Sequence, residues 1–458
     1  MVVWTFPGGR RRRRTRTAWR VAAVLTALAL ASAACSDPAG PPPEEPPPSA
    51  EAVAPPTGEA PAEPPPVPPN WPRWGVTHTQ NSADNEQENV AGELTRVLAQ
   101  APMLQNQHIM GFGAGNPEPS PGQYQWRDLD SRITLMDRSG GLPVITLCCA
   151  PDWMKGGRPG TTDWSRLTAA PKPEHFDDFA KLSAEVAKRY PHIRHYLVWN
   201  EFKGFYDPET RRPDAVAYTE LYNKVYTALK QVNPDIQVGG PYIPINSHKE
   251  GTDRRIHGPW GVVDPHSLDA VEYWLENKRG ADFIVVDGAS VTEEHVQIPD
   301  EFGAVGKFGA VTRWLREKSG NLPVWWAEWY ISPEETRWDE PHRLAVQAVS
   351  MMEFATSGAA TALYWSPQRK SGDCPGCLWQ PGEPTALPTY ELIANFVRWF
   401  PADVELERVS SSSAAIRVIA QKNRMLMVNT TDEAVVAEVD GKTHRFAPYE
   451  IIWSDRAT

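Results

Sequence analysis

The chain is 458 residues long, 41% hydrophobic and 22% charged, with a formal net charge of −11. That length exceeds a single small core, and the acidic balance leaves no electrostatic case for binding nucleic acid. Against an otherwise ordinary composition stand 45 prolines, concentrated near the N-terminus, and 19 tryptophans spread through the rest.

Residues 1–35 read as an export signal. Arg10 to Arg14, Arg16 and Arg20 precede an apolar stretch at 21–34 that is too short to span a bilayer comfortably. Ala31-Ser32-Ala33-Ala34-Cys35 resembles a bacterial lipobox, which implies that Cys35 is lipidated and becomes the first residue of a cell-surface lipoprotein. Ser32 stands where Leu is usual, so a plain cleaved signal and a secreted product remain the alternative. Removal of residues 1–34 takes away seven arginines and no acid, so the formal charge moves from −11 to −18. The segment 36–70 is built of Pro, Ala and Glu, buries nothing, and is expected to be an extended tether. Contact with the membrane is then expected through the lipid anchor alone.

The stretch 71–400 alternates short apolar runs with longer amphipathic ones, the pattern of a (β/α)8 TIM barrel. Strands are predicted at 74–77, 107–112, 143–147, 196–200, 237–240, 283–287, 324–329 and 362–365. Helices are predicted at 173–189, 214–232, 265–278, 302–318, 341–356 and 388–399, with apolar residues at three- and four-residue steps and Pro or Asp in several first turns. From 401 to 458 the pattern changes to alternating segments at 404–409, 414–420, 424–428, 434–439 and 444–453, with Asp440-Gly441 as a hairpin signal. These predict a small C-terminal antiparallel β-sheet subdomain packed on the barrel.

Besides Cys35, four cysteines remain. Cys374-Pro375-Gly376-Cys377 is expected to close a small loop disulfide in an oxidising compartment. Cys148 and Cys149 read as small apolar strand residues, and a lone C-x-x-C is weak evidence for zinc.

Two strands end abruptly in a carboxylate: Leu197-Val198-Trp199-Asn200-Glu201, the fourth, and Pro323-Val324-Trp325-Trp326-Ala327-Glu328-Trp329, the seventh. Strand C-termini of such a barrel share one open mouth, so Glu201 and Glu328 are expected to converge there. Two carboxyl groups flanking a glycosidic bond are what its cleavage requires. Asn200 can bond a sugar hydroxyl only if its strand end turns, because adjacent strand residues face opposite ways. Asp287 at the end of strand six and His78 after strand one are further substrate-binding candidates, with loop-capping and structural roles as their alternatives. Trp153 and Trp365, ending strands three and eight, are read as sugar platforms or core; Tyr242 and Tyr330 follow strands five and seven. No metal-ligand cluster is apparent, and this chemistry needs no cofactor.

Trp199-Asn200-Glu201, Trp326-Ala327-Glu328-Trp329, Ala150-Pro151-Asp152-Trp153-Met154, Gly239-Gly240-Pro241 and Tyr124-Gln125-Trp126 with Asp130 together resemble the retaining glycosidases of clan A. Within that clan the likeness is to glycoside hydrolase family 39, which includes β-xylosidases and α-L-iduronidases, and it covers about residues 71–455. The resemblance implies that Glu201 is the acid/base, that Glu328 is the nucleophile, and that a covalent intermediate forms with retention. Val285-Val286-Asp287-Gly288 departs from it, since family members carry a His and a Tyr near that strand. For such a pair, Glu328 is expected to be ionised at rest, Glu201 protonated, and the carboxyl groups about 5–5.5 Å apart. An exported glycosidase acting on an oligo- or polysaccharide is the reading favoured by these residues. The alternatives are a noncatalytic carbohydrate-binding barrel, marked by binding without hydrolysis, and a surface interaction protein, marked by a blocked barrel mouth.

Overall fold

In a computed structural model of the chain, the described residues are 73–82, 94–331, 338–365, 375–379 and 385–456. The leader with Cys35, the Pro-rich segment and Cys374 lie outside them. Eight parallel strands close a barrel: β1 (Trp74–Thr77), β2 (Leu104–His108), β3 (Leu142–Leu147), β4 (His195–Val198), β5 (Gln237–Pro244), β6 (Phe283–Ala289), β7 (Val324–Tyr330) and β8 (Thr361–Trp365). Runs such as Tyr196-Leu197-Val198 are apolar throughout because each strand is covered twice, by the barrel interior and by the helices. Leu104, Val144, Leu197, Phe283, Trp325 and Leu363 form the inner cluster, separate from the large one between strands and helices.

The outer layer consists of α1 (Arg127–Arg138), α2 (Phe176–Arg189), α3 (Ala215–Val232), α4 (Pro265–Asn277), α5 (Gly306–Lys318), α6 (Glu340–Ser357) and α7 (Pro388–Trp399). Asp214, Asp264 and Asp339 each accept a hydrogen bond from a first-turn amide, so α3, α4 and α6 begin where an N-cap satisfies the free donors. The run predicted at 173–189 divides into a 3-10 turn, Pro173–His175, and α2. That at 302–318 likewise divides into a short helix, Glu301–Ala304, and α5.

Two predicted elements are displaced. The second strand is Leu-Gln-Asn-Gln-His rather than 107–112, because Gly111 and Gly113 take positive φ and turn the chain out of the barrel. Its polar residues are tolerated inside: Thr146 Oγ1 donates to Asn106 Oδ1 at 2.8 Å, and Asn106 Nδ2 donates to Thr77 Oγ1 at 3.0 Å. The C-terminal run 444–453 is not one strand but the ends of two. There the elements are β9 (Leu406–Glu407), β10 (Ile416–Gln421), β11 (Arg424–Asn429), β12 (Val435–Val439), β13 (Lys442–Phe446) and β14 (Ile451–Asp455). They form an antiparallel sheet in the order β9-β10-β11-β14 and a separate β12–β13 hairpin turning at Asp440-Gly441. Trp453 of β14 docks the sheet on α7, its ring 5.5 Å from Phe396 and 5.1 Å from Trp399.

Candidate active site

Three strand ends deliver carboxyl groups to one point, and in each case the strand departs from regular alternation. In β7, Val286 and Asp287 of β6 pair with Trp326 and Glu328, so Ala327 is the extra residue of a bulge. Trp325 and Ala327 fill the barrel interior while Trp326 and Trp329 pack against Phe308 and Phe354 in the helical layer. The bulge therefore lets Glu328 follow Ala327 inward. Thr77 Oγ1 donates to the Ala327 carbonyl at 2.5 Å and holds the bulged strand. A second bulge makes Tyr242 the extra residue between Pro241 and Ile243, so Tyr242 lies within β5 rather than after it.

Glu201 arrives by a turn. The strand ends at Val198, and Trp199, Glu201 and Phe202 all take positive φ, a conformation that costs a non-glycine residue free energy and persists only when surroundings enforce it. The enforcement is aromatic. Trp199 Nε1 donates to the Lys203 carbonyl at 2.7 Å, Tyr218 Oη donates to the Val198 carbonyl at 2.9 Å, and Phe202 stacks on Tyr218 with ring centroids 4.2 Å apart. Gly204 closes the turn, since a Cβ there would lie 2.2 Å from the backbone nitrogen of Ala170. This turning strand end is what allows Asn200 and Glu201 both to face the mouth.

Carboxyl oxygens of Glu201, Asp287 and Glu328 lie within 4.8 Å of one another. Asp287 is fully buried, Glu328 is 3% exposed, and the Glu201 side chain is 14% exposed. Tyr242 Oη donates to Glu328 Oε1 at 2.8 Å. Among the described residues this is the one cluster spaced to share a cation, and the cation touching it is the Lys203 ammonium, paired with Glu201 Oε2.

The electrostatics pull against the charge distribution expected from the sequence. Burial, reinforced by the neighbouring Glu201 charge, pushes Glu328 up to about 8. Burial and the same charge hold Asp287 well above the usual carboxylate range. Burial also opposes the charge on Glu201, but the Lys203 ammonium paired with it and the neighbouring Asp287 carboxyl outweigh it, so its pKa lies below the ordinary value. The Lys203 ammonium against Glu201 thus favours negative charge on Glu201 and the proton on Glu328. Lys203, two positions beyond the acid, was the omitted influence.

The remaining candidates divide. Asn200 is wholly buried beside His108, and neither atom of its amide makes a well-formed hydrogen bond. Tyr330, half-buried at the end of β7, feels the charges of all three carboxyl groups. Trp365 is half-buried at the end of β8 and sets its edge against Phe112. Trp153 sits on a 3-10 turn beyond β3, nearly covered, its Nε1 donating to the Glu118 carbonyl at 2.9 Å, so it is a wall rather than an open platform. His78 does not reach the mouth. Strand alternation turns it into the layer toward α1, where its Nε2 meets Gln105 Oε1 at 3.0 Å, and burial followed by the Arg132 charge lowers it to about 4.

His108 was missed. It ends β2 buried and stacked on Phe112 at 4.1 Å, with neither ring nitrogen in a well-formed hydrogen bond; burial and then Lys203 lower it to about 3, so it is neutral. The only signal for it was its place in a polar run that did not look like a strand. Cys148 and Cys149 are not separate apolar strand residues: they lie just past β3, buried, and form a disulfide with each other. Cys377 is buried and disulfide-bonded, whereas the expected partner Cys374 lies outside the described residues.

No protein-family model matches the chain, and no curated protein does. Solved structures do. A family 39 β-xylosidase from Caulobacter crescentus aligns with a TM-score of 0.53 at 16% identity, over 81% of this chain and 80% of that one. The family 39 enzyme of Xanthomonas axonopodis pv. citri aligns with a TM-score of 0.54 at 16% identity, over 78% and 71%. A family 30 endoxylanase from Clostridium papyrosolvens aligns with a TM-score of 0.51 at 11% identity, over 83% and 96%. The chain has the (β/α)8 barrel fold that these clan A glycoside hydrolases share.

Proposed function

We propose that this protein is a retaining glycoside hydrolase that cleaves O-glycosidic bonds of an oligo- or polysaccharide, exported and held at the cell surface by a lipid on Cys35. The observation that carries the reading is the meeting of Glu201 and Glu328 at the barrel mouth with carboxyl oxygens within 4.8 Å. So short a separation favours direct attack on the anomeric carbon over inversion, which needs about 6.5–9.5 Å to seat a water between the acids. In this mechanism Glu328 displaces the leaving oxygen while Glu201 protonates it; water then hydrolyses the glycosyl-enzyme with Glu201 as base. The productive site carries the same number of protons as the resting one, with the shared proton on Glu201 and the charge on Glu328, where the Tyr242 hydroxyl supports it. The side chains of Asn200 and His108, buried without well-formed hydrogen bonds, are placed to receive sugar hydroxyls.

The test is a panel of aryl glycosides and cell-envelope polysaccharides, with the anomeric configuration of the first product read by NMR and the labelled acid found by mass spectrometry after a 2-deoxy-2-fluoro glycoside. Retention and a label on Glu328 are expected. Binding of sugars with no turnover of any substrate would instead make this a carbohydrate-binding barrel. Incorporation of labelled palmitate, lost in Cys35→Ala, checks the anchor.

A further inference from the structure

Asp287 and Lys203 have no assigned part in the chemistry, yet both adjoin Glu201. Asp287 is fully buried, neither of its carboxyl oxygens makes a well-formed hydrogen bond, and it lies in the same 4.8 Å cluster as Glu201 and Glu328. Three buried carboxyl groups this close cannot all be ionised, and the ammonium that reaches them, Lys203, pairs with Glu201. Asp287, fully buried and with no cation paired to it among the described residues, therefore keeps its proton. Lys203 stands on the solvent side, its side chain 39% exposed against 14% for that of Glu201.

We propose that Asp287 is a proton relay between Glu328 and Glu201, and that Lys203 gates it. While Lys203 contacts Glu201, the negative charge stays on Glu201. When the leaving-group sugar displaces the ammonium, Asp287 passes its proton to Glu201 and takes the proton of Glu328. One O–H bond breaks and one forms at Asp287, Glu328 becomes the carboxylate, Glu201 becomes the acid, and no proton is exchanged with solvent. The other charged or titratable groups facing Asp287 are the Tyr242 and Tyr330 hydroxyls and Lys307 of α5. Their phenols stay protonated through neutral pH, held there chiefly by burial. Lys307 is lowered to about 7 by burial, so it adds little positive charge above neutrality. Asp287 is a positioning residue here, acting through the two glutamates.

This inference rests on the glycosidase reading, and its test separates the two. In Asp287→Asn, kcat/KM for a glycoside with a sugar leaving group is expected to fall on the order of 100-fold, the lower range of a general-acid contribution. The fall for a dinitrophenyl glycoside, which needs no acid, is expected to be under about tenfold when assayed above pH 8, where Glu328, raised to about 8, is ionised without the relay. Lys203→Met removes a cation from the cluster, so both limbs of the pH profile of kcat/KM move to higher pH. Equal losses on both leaving groups, or an unmoved profile in Lys203→Met, would overturn the relay while leaving the glycosidase reading intact. Difference infrared spectroscopy supplies a readout without turnover: the protonated-carboxyl absorption at neutral pH must lose one component in Asp287→Asn, the component of Glu328 remaining. Undiminished absorption refutes the relay even in an active enzyme, and loss of that component supports it even if no substrate is hydrolysed.

Discussion

Tyr242→Phe removes one oxygen from a site where that oxygen has a single described partner, Glu328 Oε1 at 2.8 Å. A hydrogen bond to an ionised group contributes about 1.5–3 kcal/mol. About 1.4 kcal/mol corresponds to one pKa unit or a factor of ten. The bond favours the carboxylate, so its loss raises the proton affinity of Glu328 above the present value of about 8. Two consequences follow for kcat/KM measured against pH on an aryl glycoside. The alkaline limb, which reports loss of the proton that Glu328 and Glu201 share, moves up by about one to two units. Below it the plateau falls about ten- to a hundredfold, because the form with charge on Glu328 has lost its donor. A lower plateau with the limb unmoved would mean that Tyr242 merely shapes the pocket. A limb displaced to lower pH would refute the assignment of the shared proton.

Glu328→Gln is expected to lower kcat by about four orders of magnitude or more, checked by turnover of an activated aryl glycoside. The same variant should be more heat-stable than the parent. Folded Glu328 keeps its proton up to about 8, whereas an unfolded glutamate ionises near about 4.3. Folding thus binds a proton across that window, and stability declines as pH rises through it, by about 1.4 kcal/mol per unit for one group. The melting-temperature advantage of Glu328→Gln should therefore widen between about pH 5 and about pH 8; a constant margin would count against the elevated pKa. Trp326→Ala empties a fully buried site between Phe308 and Phe354 and removes the indole N–H that Thr312 Oγ1 accepts at 3.0 Å. It should cost about 3–5 kcal/mol in denaturant unfolding, and a value under about 1 kcal/mol would contradict the packing described. Gly204→Ala must displace the Ala170 backbone and misplace Glu201, so activity should fall more steeply than melting temperature; parallel falls would show that the turn is only structural.

Much of this was legible from local pattern. The barrel class, the strand-ending acids Glu201 and Glu328, the capped helices and the β-rich C-terminus follow from hydrophobic periodicity, turn residues and caps, which act over a few residues and need no knowledge of the fold. What stayed hidden depends on contacts between segments distant in sequence. The second strand was misplaced because its buried Asn106 is satisfied by Thr77 and Thr146, on neighbouring strands 29 and 40 residues away in the chain. His78 and His108 look alike in sequence; one faces α1 and the other the mouth, a choice made by strand register. Bulges at Ala327 and Tyr242 override simple alternation, and they are visible only as pairing between strands. Above all, the sequence alone determined that two glutamates would come to the rim. Which of them holds the charge was decided by the tertiary structure, because a pKa is set by burial and by the charges within a few ångströms, here Lys203 and Asp287, that folding brings around them.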